Sequence, residues 1–362
     1  MSSRFHAAVL TGLAMSCAGT AYANDGAPFD YNFSGYGTLG LAHSSEQQAD
    51  YIGTLSQSTG AGYTKSWSPG VDSRLAGQLT VSAGDQWSAV VQVVAEHQPD
   101  NSYSPKVEWA NVQYRPIPDL SIRVGRIVLA NLLSSNTRKV GYTFPGARLP
   151  DALYTVMPLT SSDGVDVSYS ANVGGFKNVV TVNAGTKDYP LSPGAGLSFR
   201  KIRGIVDVLT RGGLTLQASR LQTTFSNESG TVRSPTQYTE LGASYDPGDW
   251  FVTGEFASVR TTIVADSIRI VYVTTGYRFE NFTPYVTLLN RSGGVTSSPV
   301  ARPVKSAIAG IRWDFMRNTD FKLDYERNSL GAGSASNLTN FQPEYRPGGK
   351  FHVVSATVDF VF

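Results

Sequence analysis

In Phe321-Lys322-Leu323-Asp324-Tyr325-Glu326 every second side chain is apolar and each one between carries a charge. Successive side chains of a strand point to opposite faces, so the segment predicts a ribbon with one apolar and one wet face. The rhythm continues in both directions. Upstream, Ala307, Ala309, Ile311, Trp313 and Phe315 alternate with Ser306, Ile308, Gly310, Arg312 and Asp314. Downstream, Val354, Ala356, Val358, Phe360 and Phe362 alternate with Ser355, Thr357 and Asp359. Near the start Phe29, Tyr31, Phe33, Leu39 and Leu41 share a face, and mid-chain Val165, Val167 and Tyr169 oppose Asp166, Ser168 and Ser170.

Tight connections are expected at Gly84-Asp85, Pro116–Asp119, Gly174-Gly175, Arg211–Gly213, Asp246–Asp249, Glu280-Asn281 and Met316–Thr319. Between them lie mostly longer polar stretches: 45–70, 98–105, 128–163, 185–196, 225–236, 263–266, 291–303 and 331–349. Short and long connections in alternation, joining about sixteen strands, predict an all-β transmembrane antiparallel barrel with its apolar face toward lipid. Closure pairs every backbone amide, which is the condition for crossing a bilayer without helices. Tyr114, Trp250, Tyr277, Trp313 and Phe362 suit interfacial girdles. Arg126, Arg220, Arg260 and Arg269 fall on the apolar phase, where bulges or rim positions are expected.

Composition supports the same class. The 362 residues carry 30 Lys and Arg against 28 Asp and Glu, and only 16% are charged. Soluble proteins carry roughly 25%, yet no run of about 18 apolar residues is present to cross as a helix. Near-neutrality argues against nucleic acid, which demands a clustered basic surface, and abundant aromatics argue against disorder. Residues 1–23 read as a secretory signal: Arg4, an apolar stretch Ala7 to Met15, and the small-x-small site Ala21-Tyr22-Ala23. The single cysteine, Cys17, lies inside it, so the domain over 24–362 has no disulfide and depends on sheet closure instead.

Signals for chemistry are weak. Gly35-Tyr36-Gly37-Thr38-Leu39-Gly40 has the Gly-x-Gly-x-x-Gly spacing but sits inside an alternating strand, with no helix N-terminus to meet a pyrophosphate. After the signal only His43, His97 and His352 remain, far apart and without cysteine partners. No metal, no cofactor and no enzymatic activity are expected.

Several segments are similar to those of proteobacterial porin-like outer-membrane proteins, within the sixteen-stranded general porin superfamily. They are Glu108 to Arg115, Asp119 to Arg126, Ser162 to Tyr169, and Arg312 to Asp320 followed by Phe321-Lys322-Leu323. The terminal Phe362 resembles the aromatic by which such proteins are handed to the barrel-assembly machinery. The resemblance implies a Gram-negative outer-membrane location, contact with outer-membrane lipid, a homotrimer, and a third loop folded into the lumen. It also implies passive diffusion of small hydrophilic solutes and ions. Two other readings remain: a substrate-selective channel, and a surface receptor or adhesin using the Ser/Thr-rich loops 45–70 and 331–349.

The longest connection, 128–163, is the candidate third loop and constriction. It carries Arg138, Lys139, Arg148, Asp151 and Asp163. Opposed charges across a narrow wet gap create a transverse field that orients polar solutes. Wall candidates near the loop are Arg74, Arg123, Arg126 and Asp166. Further inward basic candidates are Arg115, Lys177, Lys201, Arg203, Arg278, Arg312 and Lys322; acidic ones are Asp72, Glu96, Asp207, Glu240 and Glu255. The loop's three basic and two acidic residues depart from the acidic cluster typical of general porins, so cation selectivity is not implied.

Overall fold

The computed structural model describes residues 29–192, 195–262, 267–294 and 302–362. The expected signal segment 1–23, Cys17 and the expected loop 263–266 lie outside them. Sixteen long strands follow in chain order. The first eight are β1 (Asp30–Ser44), β2 (Arg74–Ala83), β3 (Trp87–Glu96), β4 (Lys106–Ile117), β5 (Leu120–Val128), β6 (Ser161–Val173), β7 (Phe176–Ser192) and β8 (Ala195–Arg211). The second eight are β9 (Leu214–Asn227), β10 (Arg233–Tyr245), β11 (Trp250–Thr261), β12 (Ile268–Tyr277), β13 (Phe282–Ser292), β14 (Val304–Met316), β15 (Thr319–Leu330) and β16 (Gly349–Val361). Each pairs antiparallel with its chain neighbours, and β1 also pairs with β16 from Tyr36↔Val361 to Ser44↔Val353. The sheet therefore closes on itself and leaves no edge.

Connections sort by end. At one rim the turns span two to four residues, as at 118–119, 174–175 and 246–249. At the other lie the loops 45–73 (L1), 97–105 (L2), 129–160 (L3) and 331–348 (L8). L1 and L8 are joined by a small sheet of Asp50–Tyr51, Ala61–Gly62 and Leu338–Thr339. Three expected boundaries change. The polar stretch 185–196 is mostly ladder: β7 and β8 run to Ser192 and from Ala195, with outward Asp188 bonded to Ser198 and paired to Arg200. The loop expected at 225–236 shrinks to 228–232, and Ser161 to Asp163 belong to β6. In each case polar side chains sit beyond the apolar band, where a strand needs no apolar phase.

The two faces divide as the alternation requires. Leu39, Leu75, Val124, Leu241, Leu288 and Leu323 are exposed on the outside, while Thr38, Asp166, Glu240, Lys322, Glu326 and Asp359 are buried within. A charge at mid-bilayer costs about 2–4 kcal/mol, which fixes the outer face as the lipid face. Aromatic pairs gather at the turn rim: Trp87 stacks on Tyr114 at 4.4 Å, Phe282 on Trp313 at 5.9 Å, and Tyr245 meets Trp250 edge-on at 5.5 Å.

The closing seam explains the glycine motif. A Cβ on Gly35 would lie 2.3 Å from the Phe362 ring, and one on Gly37 would lie 2.3 Å from the Phe360 ring. A Cβ on Gly40 would meet Asp72 at 2.6 Å. Glycines here let β16 aromatics lie flat over β1 and let L1 press on the inner wall, so the spacing serves packing. Phe362 extends the ladder by exchanging backbone hydrogen bonds with Gly35 at 2.9 and 3.0 Å.

Candidate pore constriction

L3 folds into the barrel, and the residues that hold it come from elements far apart in the chain. Its apolar side chains, Leu132, Leu153, Tyr154 and Met157, pack on Phe199 and Ile202 of β8, Leu221 of β9, Val259 of β11, and Ile270 and Tyr272 of β12. A single four-residue helix, α1 (Asp151–Tyr154), forms there after Pro150. Polar bonds complete the contact. Glu255 accepts from the Leu133 amide at 2.9 Å, the Tyr154 hydroxyl at 2.8 Å and the Tyr272 hydroxyl at 2.6 Å. The Ser219 hydroxyl donates to the Asn131 carbonyl at 2.7 Å.

Farther along, L3 leans on β13 to β16 and L1. Arg148 makes a bidentate pair with Asp72 at 2.7 and 3.0 Å. It also donates to the Tyr51 hydroxyl at 3.2 Å and Ser355 at 2.7 Å, with Glu326 at 3.6 Å. All three charged side chains are at most 9% exposed. The Arg148 guanidinium is raised above its ordinary pKa: burial opposes this, but Asp72, Tyr51 and Glu326 together outweigh it. Asp151 accepts from Tyr51 at 2.5 Å, and burial pushes its carboxyl above the usual range. The Ala147 amide donates to Asp324 at 2.7 Å. Lys322, paired with Asp359 at 3.0 Å, donates to the Gly141 carbonyl at 2.6 Å, and Arg312 donates to the Tyr142 carbonyl at 2.6 Å.

One anchor reaches the opposite side. Lys139 pairs with both Glu96 of β3 and Glu108 of β4, the latter at 2.9 Å. Burial alone would lower its pKa, but the two carboxylates hold it above the ordinary lysine value. Arg138 stays within the loop, donating to the Met157 carbonyl at 2.7 Å and to that of Tyr154; burial lowers its pKa.

No family model matches the chain, and no curated protein matches it by sequence. Solved structures do match in shape. The anion-selective porin from Comamonas acidovorans is 13% identical, with a TM-score of 0.62 over 92% of this chain and 100% of that one. The outer membrane channel DcaP of Acinetobacter baumannii is 12% identical, with a TM-score of 0.59 over 92% and 97%. OmpT, an outer membrane protein of Vibrio cholerae in a trimer form, is 12% identical, with a TM-score of 0.57 over 93% and 100%. The fold is that of the outer-membrane porins.

Within this porin fold the wall of β4 to β7 carries a different set. Arg123 and Asp166 face inward as a bidentate pair at 3.0 and 2.7 Å, with Arg123 26% exposed and Asp166 2%. Gln113 pairs with Arg123 across the ladder, and Arg115 lies 2.7 Å from the Gln113 amide on the same face. Lys177 and Lys187 project inward from β7; Lys187 donates to Ser161 at 2.8 Å. Arg74, on β2, binds the Asp72 carbonyl at 3.1 Å from the inner face.

Arg126 and Asp163 take another place. They lie beside Val124 and Val165 on the outward phase and pair with each other at 2.7 Å, partly exposed. Arg126 lies three positions after Arg123, and an odd step on a regular strand reverses the face. Arg220, Arg260 and Arg269 are likewise outward and exposed. Of the two expectations, bulge or rim, Arg260 and Arg269 take the rim at the loop ends of their strands, and Arg220 lies two residues from the shift in the β8–β9 ladder between Arg200 and Arg203. Arg203 and Asp207 also occupy the outward phase. Tyr51, Glu108, Ser355 and Glu326 were missed. Glu326 shares the inward phase of Lys322 and Asp324, which was the signal available.

Proposed function

We propose that the protein is an outer-membrane channel for passive diffusion of small hydrophilic solutes, with a preference for anions. The observation that carries this reading is the unequal lumen wall. L3 covers the side richest in carboxylates and leaves Arg115, Arg123, Lys177 and Lys187 on the β4–β7 side, against Asp166. Glu96 and Glu108, the nearby acids, are drawn onto Lys139. A narrow wet passage lined by one sign of charge concentrates the opposite ion.

The same reading has the chain exported by residues 1–23, closed in the membrane through its C-terminal strand and Phe362, and assembled as a homotrimer. It has no catalytic role. His43 stacks on Trp67, His352 on Tyr325, and His97 bonds Asn101 in L2, each separate from the others.

Liposome swelling tests the proposal. Reconstituted protein is expected to admit small sugars and amino acids at rates falling smoothly with solute size. Vesicles that behave like protein-free controls would overturn it.

A further inference from the structure

The outward arginines form an organised surface at the loop end of β8 to β12. Cross-strand register places Arg203 opposite Gln222, Gln222 opposite Gln237, and Gln237 opposite Arg260. One step toward the turns, Arg220 lies opposite Thr239, Thr239 opposite Ser258, and Ser258 opposite Arg269. Two adjacent rows thus hold four guanidiniums separated only by amides and hydroxyls. Arg220 donates to Gln237 at 2.9 Å. Among the described residues no carboxylate pairs with any of the four. Asp207 lies diagonal to Arg220 but is bonded to Asn178. The surface continues as Lys305 opposite Ser329 and Ser329 opposite Lys350, with Arg327 opposite His352.

The first six strands differ at the same level. Leu39, Leu41, Leu75 and Val107 are exposed there, and the outward charges Arg126 and Asp163 neutralise each other. The turn rim of the whole barrel is ringed by aromatics instead.

Guanidiniums on a lipid face are tolerated near the interface, where the cost falls to about 0–1 kcal/mol, and not at the midplane. That places both rows at the headgroups of the leaflet on the loop side. Arginine forks bind phosphate oxygens in pairs, and neighbouring amides and hydroxyls complete the shell. We propose that the outer wall of β8 to β12 is a docking surface for phosphorylated glycolipid headgroups of the outer leaflet, reinforced by Lys305, Arg327 and Lys350. It rests on the outer-membrane reading above.

The test uses the folded full-length protein in mild detergent, with bisphosphorylated lipid A and its dephosphorylated form as probes. Native mass spectrometry reads retained lipid. Wild type is expected to retain the phosphorylated form about tenfold more than the dephosphorylated one. The joint variant R203Q/R220Q/R260Q/R269Q is expected to lose that advantage, while Arg317→Gln at the turn rim keeps it. Arg220→Gln and Arg260→Gln singly are expected to lose roughly two- to threefold each, and serve if the joint variant fails to fold. Equal retention of both lipids by wild type, equal retention by wild type and variants, or displacement by millimolar-scale inorganic phosphate alone would overturn the assignment. Conductance separates the failures: wild type that forms channels yet shows no preference for the phosphorylated lipid rejects this surface only, whereas absent channels reject the reading beneath it.

Discussion

Two walls of one lumen are built from the same alternating strands and used in different ways. On β8 to β16 many of the inward charges are buried beneath L3 and bonded to it or to one another. Arg148 meets Asp72 and Glu326, Lys322 meets Asp359, and Glu255 collects three donors. On β4 to β7, apart from Glu108, which Lys139 of L3 takes, the inward charges bond their own wall or stand bare, as Arg123 does with Asp166, Lys187 with Ser161 and exposed Lys177 in the open. The difference teaches that a polar inner face has two roles. It is a scaffold for a loop where it is covered and, on the function proposed above, a filter where it is bare.

The comparison breaks most strongly at Arg148. Arg148→Ala leaves Asp72 and Glu326 buried without their counter-charge, a loss of about 3–5 kcal/mol in loop seating. Larger single-channel conductance and faster protease cleavage between 129 and 160 are expected; unchanged values for both would show that L3 is held by its apolar contacts alone. Lys139→Met comes next, because it cuts the ion-pair anchor on the far side and frees two carboxylates. A loss of about 1.5–3 kcal/mol is expected, with ion preference moved toward cations in bi-ionic measurements.

Arg123→Ala sharpens the contrast. It should leave folding and unit conductance nearly unchanged while exposing Asp166, so anion preference falls by about two- to threefold. Asp166→Asn should move it the other way.

The smallest effect is on pH. Burial raises the Asp151 carboxyl, so above the ordinary carboxylate value the released loop ionises while the seated loop resists ionisation. Seating is therefore expected to be firmest at acidic pH and to weaken as pH rises through the elevated value. Proteolysis of L3 should follow that trend in the wild type and lose it in Asp151→Asn.

The barrel was legible because alternation is local: each strand declares its two faces without knowledge of its neighbours. Phe321 to Glu326 is enough to separate a lipid face from a wet one. Loop anchors are not local. Arg148 reaches Asp72 and Ser355, 76 and 207 residues away, and only ring closure brings these together. Parity explains the remaining differences. Arg126 and Asp163 stand among the lumen candidates because they flank the loop, although Arg126 already falls on the apolar phase, and one odd step from Arg123 puts Arg126 outside with its partner Asp163. The stretch 185–196 looked like a loop because polar residues outside the apolar band carry no alternation, although the ladder continues through them.

The most direct test of the account is the reversal potential of wild-type channels in a planar bilayer under a potassium chloride gradient. Discrete channels with the sign of chloride permeation are predicted. A silent membrane, or a reversal potential with the sign of potassium permeation, would contradict the reading of a basic filter facing a loop-covered wall.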